Sequence, residues 1–214
     1  MGALMRLMLG AMGVPRSATI LGDATRRIML PPPQLDLPGT LMQALRHRRS
    51  ERAFCGEPLA RQTLADLLWV ADGVNRENGE RTAPSALGAH ETLIVAAMAE
   101  GTYAYDPCAH ALNLMVETDI RRQLSGYQIF VADAPLDLVY VADHGRMARV
   151  PIHYRDSFAS VAVGAISQNV ALYCAANGLA TVLRAWIDRE AIASALRLGT
   201  QQHVLMSQTI GRPA

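Results

Sequence analysis

The sequence of 214 residues is short of charge, of net charge and of cysteine, and each shortage argues against a class of protein. Only 18% of the residues are charged while 50% are hydrophobic, which argues against a disordered chain and predicts one well-buried domain. The formal net charge is only +1, so the chain as a whole does not attract nucleic acid or anionic lipid. Recognition of an anion must therefore come from a local cluster of arginines.

The cysteines and histidines show no pattern of a disulfide framework or of a common metal motif. Cys55, Cys108 and Cys174 are odd in number and widely spaced, so we expect three small buried side chains. The sequence has no HExxH or HxxxH pair, and a glycine and a proline separate His144 from His153. We therefore predict no metal site.

Residues 1–34 are predicted to form an N-terminal arm that ends in the proline linker at 31–33, and the folded domain is predicted at 35–214. Residues 4–14 are apolar but too few to span a bilayer, and no clear signal cleavage site follows them. Two interpretations stay open. The segment is a docked helix of a cytoplasmic protein, or it is the remnant of an export signal whose start lies upstream.

Hydrophobic periodicity predicts both helices and strands. Helices are predicted at 40–49, 59–71, 157–177 and 189–198, and strands at 92–98, 102–106, 136–142, 181–187 and 204–210. The first two strands form a hairpin, and a long surface loop covers 75–89. Because the elements do not alternate as regular βαβ units, we predict an α+β fold with a sheet packed by helices. The helix at 157–177 is too polar at its centre to be a membrane span.

Where the first predicted helix ends, Ser50 is surrounded by three arginines, namely Arg48, Arg49 and Arg52. Guanidinium groups offer paired donors that match a phosphate or the O2/N1 edge of a reduced flavin, and a serine hydroxyl adds another donor. The same arginines would also suit a solvated helix end, where the helix dipole favours cations. A nucleic-acid surface is disfavoured because no interleaved aromatics or second basic stripe accompany the cluster.

A second segment, RTAPSA at 81–86, combines a rigid backbone with small side chains. Pro84 has a fixed φ and biases Ala83 toward an extended conformation, which presents backbone donors and Ser85 in a preset shape. Such a wall suits a flat aromatic ligand, although an APS tripeptide is also a common turn.

Together these segments resemble the nitroreductase family over about residue 30 to the C-terminus. Five elements occur in the family's order and spacing: RRSxR at 48–52, LLWVADGVNRENGERTAPSA at 67–86, QN at 168–169, GLAT at 178–181 and TIGRP at 209–213. The second of these looks closest to the branch that includes the SagB-type dehydrogenases, which share the WxADGxNRxxGxRTAPSA run.

The resemblance implies an α+β homodimer with a central, mainly antiparallel sheet in each subunit and two FMN sites at the interface. One subunit would contribute Arg48, Arg49, Ser50 and Arg52 to the flavin, and the other Pro84, Ser85, Ala86 and the neighbouring Gly88. Thr181, Val182, Leu183 and Arg184 would run beside the ring, and Arg212 would close the site. In the family, flavin N5 takes a hydride from NADH or NADPH and passes it to a second substrate, so no catalytic side chain is expected.

One departure from the family lies directly after the APS tripeptide. Gly88 and His90 stand where much of the family has Asn and Gln, which removes an amide that often binds the pyrimidine edge of the flavin. Three functions follow from the resemblance: an NAD(P)H-driven reductase of nitroaromatic or quinone-like acceptors, a SagB-like dehydrogenase acting on a peptide heterocycle, and a flavin-binding protein without turnover.

Overall fold

A computed structural model describes residues 26–36 and 39–214, and the apolar segment at 4–14 lies outside them. The strands of the described chain are β1 Arg27–Met29, β2 Phe54–Cys55, β3 Thr92–Met98, β4 Gly101–Asp106, β5 Ala111–Val116, β6 Leu136–Asp143, β7 Ala180–Arg184 and β8 Gln202–Pro213. They form a sheet in the order β1-β5-β4-β3-β6-β8-β2, with β7 also paired to β8, and all the pairings between these strands are antiparallel.

Helices cover both faces of this sheet. They are α1 Leu41–His47, α2 Arg61–Asp72, α3 Arg121–Ser125, α4 Phe130–Asp133, α5 Arg155–Ala176 and α6 Arg189–Ala195. Because neighbouring residues of a strand point to opposite faces, Ile94 and Leu138 pack in the core beneath α2 and α5. Val95 and Val139 pack instead beneath α3, α4 and α6. The predicted α+β class with a mainly antiparallel sheet is confirmed. The centre of the sheet is buried on both faces.

Strand β8 joins parts of the chain that are far apart in sequence. It pairs with β6 from Leu136↔Ile210 to Asp143↔Gln202 and with β7 from Ala180↔Gly211 to Arg184↔Ser207. Its last residues pair with β2, at Phe54↔Pro213. One end of β8 therefore collects the residues that follow α1, the residues of β7 and the C-terminus.

Several predicted boundaries differ from the structure. The strand predicted at 181–187 ends at Arg184, because the β7–β8 pairing stops at Arg184↔Ser207. Strands β1, β2 and β5 and the short helices α3 and α4 were not predicted. The sheet begins at Arg27, upstream of the predicted domain start near residue 35, and Arg27 also forms a 2.9 Å ion pair with Asp106.

The expectation of three buried cysteines holds for only one of them. All three thiols are free, but Cys174 alone is buried, Cys55 is half-buried and Cys108 is exposed. Cys108 lies in the turn between β4 and β5, where its N–H donates to Asp106 Oδ1 at 3.0 Å. The geometry of that turn holds the residue outside the core.

Residues 152–176, which include α5, form the only helical stretch in the described chain that is long and apolar enough to cross a membrane. The mean hydropathy of its most apolar window is 1.4, and half of that window is buried inside the fold. Val163, Ile166 and Val170 belong to the same core as α2 and β3. The helix is therefore accounted for as a core helix, as the sequence predicted.

A buried polar network links β6, β7 and β8. Arg184 donates to Asp137 Oδ2 at 2.8 Å and to the carbonyl of Leu124 at 3.0 Å, and both charged side chains are almost fully buried. Ser207 and Thr209 donate to the same carboxylate at 2.7 Å each. Burial raises the pKa of Asp137, and the positive charge of Arg184 acts against that rise.

We expect Asp137→Ala to destabilise the fold by about 3 to 5 kcal/mol, because it leaves the guanidinium of Arg184 buried without its counter-ion. Arg76→Ala is the control, since its ion pair with Glu80 is exposed and should contribute less than about 1 kcal/mol. Urea unfolding of the two variants checks the difference. Equal losses would show that Arg184 does not depend on Asp137.

Candidate functional site

The RRSxR segment follows a helix that begins and ends at defined residues. Thr40 caps the start of α1: its hydroxyl accepts from the N–H of Gln43, and the Gln43 side chain accepts from the N–H of Thr40. The last bond of the helix runs from the N–H of Arg48 to Ala44 at 2.9 Å. Beyond Arg48 the chain is extended, and the N–H of Glu51 donates to the carbonyl of Thr181 at 3.0 Å, which fastens the segment to β7.

The predicted anion-binding side chains are accessible on this segment. Arg48, Arg49, Ser50 and Arg52 are all exposed. Arg49 pairs with Glu51, whereas Arg48 and Arg52 take part in no ion pair with any residue that the structure describes. Arg48 and Arg49 line a cavity of about 360 Å³ together with Arg46, and Arg52 is not part of its lining. The segment thus offers two arginines, Arg48 and Arg52, that no described carboxylate pairs with.

Arg212 lies at the same end of the sheet. It is opposite Cys55 in the pairing of β8 with β2, and its Nε is 3.7 Å from a carboxylate oxygen of Glu57. Both side chains of this pair are exposed, so the pair contributes little to stability. The structure therefore brings Arg212, β7 and the RRSxR segment together.

Strand β7 presents few side chains to a ligand. Thr181, Val182 and Arg184 are buried, and only Leu183 is exposed. The hydroxyl of Thr181 donates to the carbonyl of Thr209 at 2.9 Å, and Arg184 is engaged with Asp137. A ligand beside β7 would meet the Leu183 side chain and the backbone, while the other side chains serve the core.

The run at 67–86 comprises the end of α2 and a hydrogen-bonded loop that follows it. The Trp69 indole donates to the carbonyl of Val74 at 3.0 Å, and the Thr82 hydroxyl donates to the carbonyl of Trp69 at 3.1 Å. A Cβ on Gly73 would collide with the Trp69 indole, so glycine is required at the end of α2. Asn169 on α5 donates to the carbonyl of Val70 at 3.2 Å and to that of Thr82 at 3.5 Å, which ties both α2 and the loop to the core helix.

A buried ion pair holds the two ends of this loop. Arg81 and Asp72 are both buried and in direct contact. Burial raises the pKa of Asp72 to about 7, although the charge of Arg81 acts in the opposite direction. Arg81 therefore serves the fold, whereas Arg48 and Arg52 remain available to a ligand.

The chain from Ser85 to Glu91 is tightly folded and strained. The Ser85 hydroxyl donates to Glu91 at 2.5 Å and accepts from the N–H of His90 at 2.8 Å. Leu87, Gly88 and His90 have φ values of 53°, 64° and 48°, in the left-handed region that side chains disfavour. Backbone strain of this kind costs energy and concentrates at ligand-binding segments.

His90 is a neutral side chain with one buried nitrogen. Its pKa is lowered to about 4, first by burial and then by the charges of Arg81 and Arg146. Nδ1 is buried and has no hydrogen-bond partner among the described residues. A buried lone pair without a partner costs less than a buried N–H without one, so we assign the proton to Nε2. At neutral pH the imidazole thus carries one permanent N–H donor.

His90 belongs to a second cavity, of about 580 Å³, which is also lined by Pro84, Ser85 and Gly88. This cavity shares no lining residue with the one beside Arg48. Within one chain, the structure does not bring together the two groups of residues that were predicted to contact flavin. Such a division is what a site built from two copies of the chain requires.

An exposed apolar surface that the sequence did not predict lies next to β7. The side chain of Trp186 is 85% exposed and that of Tyr127 is 96% exposed. The Gln128 amide donates to the carbonyl of Trp186 at 3.2 Å, so the two segments lie together near Leu183. The sequence had placed residue 186 inside a strand and offered no signal for this arrangement.

Comparison with known proteins agrees with this geometry. The model of the nitroreductase family matches residues 45–212. A provisionally assigned nitroreductase of Methanocaldococcus jannaschii is 31% identical over 182 residues, which are 80% of this chain and 90% of that protein. A crystal structure of a provisionally assigned nitroreductase from Ralstonia eutropha is 44% identical, covers 94% of this chain and 95% of its own, and has a TM-score of 0.85. An NADPH:FMN oxidoreductase from Vibrio harveyi, crystallised with NAD⁺, is 18% identical over 81% of this chain and 68% of its own, and its TM-score of 0.63 shows a shared fold.

The low pKa of His90 predicts a loss of stability in acid. Between about pH 6.5 and about pH 4 the imidazole is protonated in the unfolded chain but not in the fold, so stability falls as the pH is lowered through this range. When the pH is lowered from about 7 to about 5, we expect the free energy of unfolding to fall by about 1 to 2 kcal/mol less in His90→Gln than in the wild type. Urea unfolding at both pH values measures this, with the exposed His153→Gln as control. Parallel losses in all three proteins would contradict the assignment.

Proposed function

The chain belongs to the nitroreductase family, and we propose that it is an FMN-dependent oxidoreductase that uses NADH or NADPH to reduce nitroaromatic or quinone-like acceptors. One observation carries the proposal: the chain has two half-sites of complementary chemistry on separate surfaces. One half-site is basic and exposed, and the other is a preformed loop with a neutral donor. Bound FMN would supply the hydride-accepting atom, N5, and so the protein needs no acid or base of its own.

The basic half-site fits the charge of FMN. Arg48 and Arg52 are exposed and have no carboxylate partner in the described chain, so they would bind the phosphate and the pyrimidine edge through charge-assisted hydrogen bonds. Ser50 lies between them and adds a hydroxyl donor. Arg212 lies at the same end of the sheet and adds another exposed cation for a ligand there.

The loop half-site fits the flat ring. Pro84 and Ser85 form a wall that the contact of Ser85 with Glu91 holds in place. Gly88, which adopts a left-handed φ, brings backbone close to the cavity without a side chain. His90 would donate its Nε2–H to a flavin carbonyl and so replace the amide that much of the family has here. The departure at Gly88 and His90 then changes the donor without removing it.

The two half-sites meet only if two copies of the chain associate. Leu41, Met42 and Val161 are each more than 60% exposed on α1 and α5, and Phe158 is 40% exposed. Exposed apolar surface on neighbouring helices is typical of an interface between subunits. We therefore propose a homodimer with two equivalent FMN sites.

The acceptor would bind beside the outer face of β7. Leu183 and Trp186 offer apolar surface there, and Tyr127 lies on the adjacent segment. Aromatic surfaces bind flat acceptors by stacking, and they are selective for shape more than for one compound. This agrees with a broad class of nitroaromatic or quinone-like acceptors.

The spectrum and the turnover of the purified protein test this function. We expect a yellow dimer by absorption and light scattering, which oxidises NADH or NADPH when a quinone is added. Bound flavin without NAD(P)H oxidation would instead favour the SagB-like dehydrogenase or a flavin-binding protein without turnover. A colourless protein that does not take up added FMN would overturn the proposal.

The RRSxR interpretation has a matched test in two arginines six residues apart. We expect Arg52→Ala to weaken FMN binding by about tenfold to a hundredfold, the worth of a charge-assisted hydrogen bond. Arg46→Ala should change it by less than about threefold, although Arg46 lines the cavity and Arg52 does not. Fluorescence titration of the FMN-free protein gives both dissociation constants. Equal losses would mean that only general basicity matters.

A further inference from the structure

Three potential metal ligands meet at a place that the flavin chemistry does not use. His144 lies in the 3-10 turn His144–Arg146 that follows β6, Asp156 in the first turn of α5, and His203 on β8. One ligand atom from each lies within 4.8 Å of the other two. His153, the histidine nearest to His144 along the chain, is not part of this cluster. His153 packs against Tyr154 instead, with ring centroids 4.2 Å apart.

The fold holds His144 in place and leaves its two neighbours free to adjust. The His144 side chain is only 8% exposed, and the backbone N–H of His144 donates to the carbonyl of Gln201 at 2.8 Å. Asp143 accepts from the N–H of Gly145 at 3.0 Å and so shapes the turn. Asp156 is 66% exposed, and His203 is exposed as well. The cluster thus has one fixed member and two that can rotate.

The side chains of the cluster lie close enough for their ligand atoms to converge on one ion. His144 Nε2 is 2.9 Å from Asp156 Oδ1, and the rings of His144 and His203 are stacked with centroids 4.2 Å apart. In a tetrahedral zinc site the ligand atoms are about 3.4 Å apart. Rotation of the two exposed side chains that moves their ligand atoms by about 1 Å would therefore bring all three ligand atoms to that spacing. A metal ion would replace the proton in the hydrogen bond between His144 and Asp156.

From this geometry we propose that His144, Asp156 and His203 bind one divalent cation of the zinc type. Two imidazole nitrogens and one carboxylate oxygen suit Zn²⁺ and the neighbouring late first-row ions, and they disfavour Mg²⁺ and Ca²⁺, which need more oxygen ligands. Because two of the ligands are exposed, water would complete the coordination. The ion would connect the turn after β6, the start of α5 and strand β8. It would therefore stabilise the fold and take no part in hydride transfer.

The test uses the full chain with its flavin, after removal of metals by dialysis against a chelator. Zn²⁺ is titrated by calorimetry, and Co²⁺ serves as a probe through its visible absorption bands. We expect one ion per chain and a higher thermal unfolding midpoint when it is bound. His203→Gln and Asp156→Asn should each weaken binding by at least about tenfold, whereas His153→Ala should leave it unchanged.

Both test residues are exposed, so the variants should fold, and their circular dichroism should match that of the wild type. The absence of saturable Zn²⁺ binding would overturn the proposal. So would binding that neither substitution weakens, because the ion would then be held elsewhere, for example by the exposed thiol of Cys108. The result is independent of FMN, so it does not depend on the enzymatic function proposed above.

Discussion

The antiparallel pairing of β8 with both β6 and β7 is the constraint on which the rest of the structure depends. β8 connects the centre of the sheet to β7 and, through its last residues, to the segment after α1. The bond from Glu51 to Thr181 then fixes the RRSxR segment on the other side of β7. Residues near 50, near 180 and near 212 form one surface because a single strand reaches all of them.

Buried charge strengthens this arrangement at two places and divides the arginines into two groups. Arg184 binds Asp137 beneath β8, and Arg81 binds Asp72 at the base of the long loop. Each pair is costly to desolvate and still more costly to break, because loss of one partner leaves the other charge buried without compensation. The arginines that remain exposed, such as Arg48 and Arg52, have no such role. They are the ones available to an anionic ligand.

The loop from Pro84 to Glu91 departs from the family's pattern at Gly88 and His90. The amide common in the family is absent, but a histidine two residues further on is kept neutral by burial and by two neighbouring arginines. A neutral imidazole with a buried Nδ1 has a single donor, as one N–H of an amide would provide. The strained φ at His90 is the structural cost of placing it there.

What the sequence determined by itself was local. The β-like run Thr92–Met98 predicted β3 to the residue, Gly73 ended a helix as predicted, and the five motifs in register were sufficient for the family. Each of these depends on neighbours along the chain. Side-chain exposure and long-range pairing do not depend on neighbours along the chain, and the tertiary structure alone decided them. Strands β1 and β5 are held by each other across more than 80 residues, and Arg184, predicted to lie beside the flavin, is buried against a carboxylate 47 residues away. His144 meets His203 and not His153, because pairing of β6 with β8 brings their ends together while the local chain turns away.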